Sequence, residues 1–88
     1  MCIRDRIDAR GHLILPGFID IHVNGGGGHM AMEGTPEAIK AISSAHASYG
    51  TTTMLATTIT SEVAVLKNVL EVVARLDRTT PNLSLIHI

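Results

Sequence analysis

An α/β fold with parallel strands is what this sequence predicts, and three observations predict it. Segments with strand chemistry, at 17–24 and 51–60, alternate with segments of helical period, at 36–49 and 61–76. Each helical segment carries a start signal, Thr35-Pro36-Glu37 for the first and Ser61 for the second. The first strand also brings Asp20, His22 and Asn24 directly to four consecutive glycines, as a barrel strand does at its ligand-binding C-terminal end.

Each element follows in order. Ile7 to Leu15 reads as a short strand and turn, broken at Gly11 and leading to the turn dipeptide Pro16-Gly17. In the next strand, alternation places Ile19, Ile21 and Val23 on one side and Phe18, Asp20, His22 and Asn24 on the other. After the glycines, Thr35 suits a helix N-cap, Pro36 the first helical position and Glu37 the positive end of the helix dipole. Ala38, Ala41, Ile42, Ala45 and Tyr49 form one apolar face, and Gly50 stops the helix, predicted over 36–49. Thr51 to Thr60, with Met54, Leu55 and Ile59, has the β-branched character of a second strand. Ser61 caps a second helix whose stripe is Val65, Leu66, Val69, Leu70, Val73 and Leu76, opposite Glu62, Lys67, Asn68, Glu71 and Arg75. It stops before Pro81, and Leu83 to Ile88 begins a third strand. Strands separated by helices join in parallel through right-handed crossovers.

The chain has 88 residues, and Phe18 and Tyr49 are its only aromatics, so its own core is thin. A complete barrel takes roughly 250 residues, so the sequence is expected to hold only the first two βα units of one. A net charge of −1 with scattered basic residues gives no footprint for nucleic acid and no polybasic membrane patch. The single Cys2 excludes an internal disulfide and any Cys-x-x-Cys motif. No apolar run reaches the ~20 residues a bilayer requires, and Met1 to Arg10 leads into no signal-peptide core, which makes the cytoplasm the expected location.

His22 and Asn24, two apart on one strand, can reach one metal ion or one metal-bound water; alternatively they hydrogen-bond within a barrel interior. Asp20, one step deeper, can fix the His22 tautomer or accept from a neighbouring strand. Gly25, Gly26, Gly27 and Gly28 read as a mobile loop at the rim, where the lack of Cβ lets backbone approach a ligand. Gly26-x-Gly28-x-x-Ala31 formally matches a dinucleotide fingerprint, the mark of a Rossmann-like nucleotide-binding module. Against that, Gly34 and Pro36 delay the helix, and no acid lies between His46 and Thr58. His12, His29 and His46 are weaker candidates, His46 being placed near the surface edge of the first helix. Thr57, Thr58 and Thr60 end the second strand and can line the same mouth.

Leu15-Pro16-Gly17-Phe18-Ile19-Asp20-Ile21-His22-Val23-Asn24-Gly25 resembles the first barrel strand of the amidohydrolase superfamily. With the glycine run, Ser48-Tyr49-Gly50-Thr51-Thr52 and Leu55-Ala56-Thr57-Thr58-Ile59-Thr60, the chain looks like the N-acetylglucosamine-6-phosphate deacetylase family over residues 7 to 82. The resemblance implies a metal-dependent hydrolase with a (β/α)8 TIM barrel, a small β-sandwich domain and a homodimeric assembly. Residues 1–15 are then a remnant of the small domain and 16–88 the start of the barrel. His22 and Asn24 occupy the family's His-x-His positions, and Asn in the second favours a single divalent ion, Zn or Fe, whose main ligands lie beyond this chain, as does the general base. Substrate is a small sugar phosphate, and the fragment alone is expected to be inactive. Related alternatives are a dihydroorotase-like cyclic amidase and N-acetylgalactosamine-6-phosphate deacetylase. Residues 1–6 and 83–88 depart from the family pattern and read as translated adapter sequence.

Overall fold

Strand and helix signals separate cleanly in the computed structural model of the chain, which describes residues 5–77 and 84–87. The order is β1 (Phe18–Val23), β2 (Gly25–Gly26), β3 (His29–Met30), a single 3-10 turn (Ala31–Glu33), α1 (Pro36–Ala47), β4 (Thr51–Ala56), α2 (Val63–Asp77) and β5 (Ser84–His87). β1, β4 and β5 form one parallel sheet in that spatial order, so each long strand lies beside the next one in sequence. The third strand expected over Leu83 to Ile88 forms at Ser84–His87, while Leu83, Ile88, Pro81 and residues 1–4 lie outside the described residues.

The core has one layer of sheet and one of helices. Met54 and Ala56 of β4, two apart and therefore on one face, are buried with Ile39 and Ile42 of α1 and Val69, Val72, Val73 and Leu76 of α2. Thr35 caps α1 as expected, its hydroxyl accepting from the Ala38 N–H at 3.2 Å, with Pro36 at the first helical position. The helix ends at Ala47, two residues early. Tyr49 falls in the closing turn and is 87% exposed, and Gly50 takes a φ of +97° that suits only glycine. The buried face of α1 is Ala38, Ile39, Ile42 and Ser43. Ala41 and Ala45 are half-buried instead, because they pack beneath the glycine segment: a Cβ on Gly27 would meet the Ala41 carbonyl and the Ala45 methyl.

The second helix starts one residue late. Leu66 N–H donates to the Glu62 carbonyl at 3.1 Å, which puts Glu62 rather than Ser61 at the N-cap. Its burial is concentrated toward the C-terminal half, where Val72 joins the expected Val69, Val73 and Leu76. Val65 is exposed because the first turn extends past the described core. The Asn68 amide donates to the Gly34 carbonyl at 3.0 Å, tying α2 to the 3-10 turn.

Two expectations about the first 24 residues change. No strand forms over 5–17, where no chain runs alongside to pair with it, and only a turn at 9–12 remains, closed by His12 N–H to Ala9 O at 2.9 Å. Ile19 and Ile21 are 68% and 69% exposed, while Val23 is buried. β1 is the sheet's edge, and the helices pack chiefly over β4 and β5.

Candidate active-site strand and glycine hairpin

The C-terminal end of β1 is irregular where the candidate ligands stand. Asp20 pairs with Met54 and Val23 with Ala56, so three steps along β1 oppose two along β4. Met54 and Ala56 share a face, so the strict alternation expected from Asp20 to Val23 is broken by a bulge, a device that re-aims side chains beside functional sites. Thr57 locks the distortion. Its N–H donates to the Val23 carbonyl at 2.8 Å, its hydroxyl accepts from the Val23 N–H at 3.2 Å, and the same hydroxyl donates to the Leu55 carbonyl at 3.1 Å. The strand ends of β1 and β4 are thereby tied together.

Asn24 and His22 are brought side by side, with Asn24 Nδ2 3.3 Å from His22 Nε2. Asp20 Oδ1 accepts from the backbone N–H of His22 at 3.1 Å, so its contact with His22 is to the main chain and not to the imidazole. Thr58 is half-buried and Thr60 exposed; His12 is exposed in the N-terminal segment.

The four glycines form a hairpin. Gly25–Gly26 pair antiparallel with His29–Met30, and Gly27 and Gly28 at the tip have φ of +59° and +81°, the positive values a tight two-residue turn demands. They therefore do not open a helix, and α1 begins only at Pro36, which removes the phosphate-facing helix N-terminus a dinucleotide site requires. The hairpin is fastened at its base by Ala31 N–H to the Asn24 carbonyl at 2.8 Å, with Ala31 fully buried. Glu33 holds the far side, accepting from the Met30 N–H at 2.6 Å and contacting His29 Nδ1 at 3.2 Å. The Met30 N–H first, and His29 second, keep the Glu33 carboxyl below its ordinary pKa.

His46, a weaker candidate expected near the surface edge of the first helix, is half-buried instead, and its Nε2 lies 3.2 Å from the Gly25 carbonyl. Its register with Ile39 and Ile42 along α1, at i, i+3 and i+7, is the one sequence signal that places it on the inward side.

Among the described residues no group of three His, Cys, Asp or Glu could enclose a metal ion. The chain's own donors fit part of such a centre. Asn24 Oδ1 is buried without a hydrogen-bond partner, next to an imidazole nitrogen, and exchanging the amide's O and N leaves an unpartnered atom all the same. An amide oxygen and an imidazole together suit a divalent cation as one side of its shell.

The chain is a parallel α/β sheet with a paired His and Asn at the end of its first long strand, and it belongs to the amidohydrolase family, whose model matches residues 13–86. Its relatives include the N-acetylgalactosamine-6-phosphate deacetylase of Shewanella sp. (strain ANA-3), 40% identical over 84% of this chain and 19% of that protein. The N-acetylglucosamine-6-phosphate deacetylase of Bacillus subtilis (strain 168) is 46% identical over 57% of this chain and 13% of its own length. That of Vibrio furnissii is 37% identical over 70% and 16% respectively. The chain thus spans less than a fifth of the length of these curated relatives. No helix among the described residues is long and apolar enough to cross a membrane.

Proposed function

We propose that this chain forms the first two βα units of the TIM barrel of a cytoplasmic N-acetylglucosamine-6-phosphate deacetylase, which hydrolyses the acetamide to glucosamine 6-phosphate and acetate. The observation that carries the reading is the His22–Asn24 pair, held at a bulged strand end in a chain whose relatives are named as deacetylases of amino-sugar 6-phosphates. His22 and Asn24 would hold one side of a single Zn or Fe ion, which supplies Lewis acidity and an activated water when bound. The chain's own residues present the donors and fix the glycine hairpin at the rim. The apolar side chains of Ile7, Leu13, Ile14 and Leu15, all exposed, support the assignment of residues 1–15 to a small second domain that covers them. The complete enzyme is read as a homodimer.

The test is acetate release by the full-length protein carrying this sequence, with the metal content measured alongside. H22A should lower turnover while one ion per chain remains bound; complete loss of metal contradicts a centre whose main ligands lie elsewhere. The Shewanella likeness, which extends over 84% of the chain, keeps the C4 epimer, N-acetylgalactosamine 6-phosphate, as the alternative substrate. Faster release from N-acetylgalactosamine 6-phosphate would move the assignment to that sugar. Hydrolysis of a cyclic amide with no acetate from either sugar would refute the deacetylase reading.

A further inference from the structure

We propose that His46 is a positioning residue for the strand-end pair, acting from α1 through the glycine hairpin on Asn24. The inference rests on the reading of His22 and Asn24 as metal-facing. Asn24 is bracketed by two backbone restraints from outside its own strand. Its carbonyl accepts from the Ala31 N–H at 2.8 Å, and the carbonyl of the next residue, Gly25, lies 3.2 Å from His46 Nε2. The carbonyl has no proton, so Nε2 is the donor and the ring carries its hydrogen there.

The approach is specific in shape as well as in hydrogen bonding. A Cβ on Gly26 would stand 3.0 Å from His46 Nε2 and 3.3 Å from Cδ2, so the ring sits close under this position and must shift by a few tenths of an ångström to admit a side chain. Ile42, one turn earlier on the same helix, lies 3.9 Å from that Cβ position and extends the floor. His46 is half-buried there. Without the donor, the Gly25 carbonyl, one residue beyond Asn24, loses its partner at a part-buried position, and one of the two restraints flanking Asn24 is gone. The Asn24 side chain has the exposed contact of Nδ2 with His22 Nε2 at 3.3 Å, and its Oδ1 has no partner of its own.

The full-length protein tests this with H46L, which keeps side-chain bulk without a donor, and H46Q, whose amide can donate from the same helix position. Partners of this kind, acting behind metal-facing groups, change activity by about 10–100-fold. H46L should lower kcat for N-acetylglucosamine 6-phosphate by that factor with KM within about threefold, and H46Q should restore most of it. In the Co(II)-loaded protein, H46L and N24A should shift the visible d–d bands alike, and H46Q should leave them in place. The double variant N24A/H46L should be no worse than N24A alone within about twofold, because His46 acts through Asn24. Additive losses, unshifted bands in H46L, or H46Q as impaired as H46L would each overturn the role. If H46L does not fold, G26A, which displaces the ring from the other side, must show the same non-additivity with N24A. Wild-type protein that takes up no Co(II) and releases no acetate refutes the functional reading itself, a result distinct from an active enzyme indifferent to H46L.

Discussion

Thr57→Val removes one oxygen from the junction that joins β1 to β4 and leaves the side-chain shape unchanged. The Thr57 hydroxyl is the acceptor for the Val23 N–H at 3.2 Å, and Val23 is only 3% exposed, so water has little access to the abandoned donor. An unsatisfied buried donor costs about 1–3 kcal/mol, and the lost bond to the Leu55 carbonyl at 3.1 Å adds about 0.5–1.5 kcal/mol. Replacing a half-buried hydroxyl by a methyl returns a fraction of the ~0.8 kcal/mol of a buried CH2 group. The net expectation is a loss of about 2 kcal/mol, which corresponds to roughly 30-fold faster exchange of the Val23 amide. Urea unfolding of the full-length protein and amide exchange measure the two quantities independently. T57S, which keeps the oxygen, should stay close to wild type. A T57V protein within about 0.5 kcal/mol of wild type, or a T57S protein as unstable as T57V, would refute the assignment of the hydroxyl as the tie.

Ser43, buried in α1 with no hydrogen-bond partner for Oγ, should be improved by S43A, which raises the unfolding midpoint by an amount equivalent to about 1 kcal/mol. G28A meets open space and suffers only from its φ of +81°, about 1 kcal/mol, whereas G27A also drives a Cβ to 3.0 Å from the Ala41 carbonyl; thermal melts should rank G27A below G28A. Because the folded state lowers the Glu33 pKa, the contact with Met30 contributes fully above the ordinary carboxylate pKa and is lost as pH falls through the lowered value. Exchange protection of the Met30 amide should therefore decline at acidic pH in wild type and become independent of pH in E33Q.

Local chemistry was sufficient for the order of the long elements from β1 onward, though not for the glycine hairpin or the missing strand before Pro16. Thr35-Pro36 announced α1 and the hydroxyl does cap it, and the first part of the Thr-rich run became the central strand, which stops at Ala56 rather than reaching Thr60. What sequence patterning could not supply was tertiary. The outward exposure of Ile19 and Ile21 depends on where the helices lie over the sheet, and the bulge between Asp20 and Val23 depends on pairing with Met54 and Ala56. Gly27-Gly28 carried a hairpin signal that competed with its reading as an open loop, and the flanking pairing with His29–Met30 decided it. Likewise, Ile39 rather than Ala41 faces the core because the hairpin occupies the small-residue side of α1. His46 was legible as a helical residue and illegible as a donor, since its acceptor is 21 positions away.

The free outer edge of β1 has a consequence for how the protein is made. Each long strand pairs with the one synthesised just before it, so the sheet can grow as the chain leaves the ribosome, with little waiting for distant partners. Yet β1, made before its partner β4, keeps one row of backbone groups unpaired among the described residues and offers Ile19 and Ile21 to solvent throughout that interval. An open strand edge with exposed isoleucines is the kind of surface that aggregates unless it is covered. Placing a lysine at position 21 should weaken chaperone capture of the stalled chain, because a charge blunts an open sheet edge.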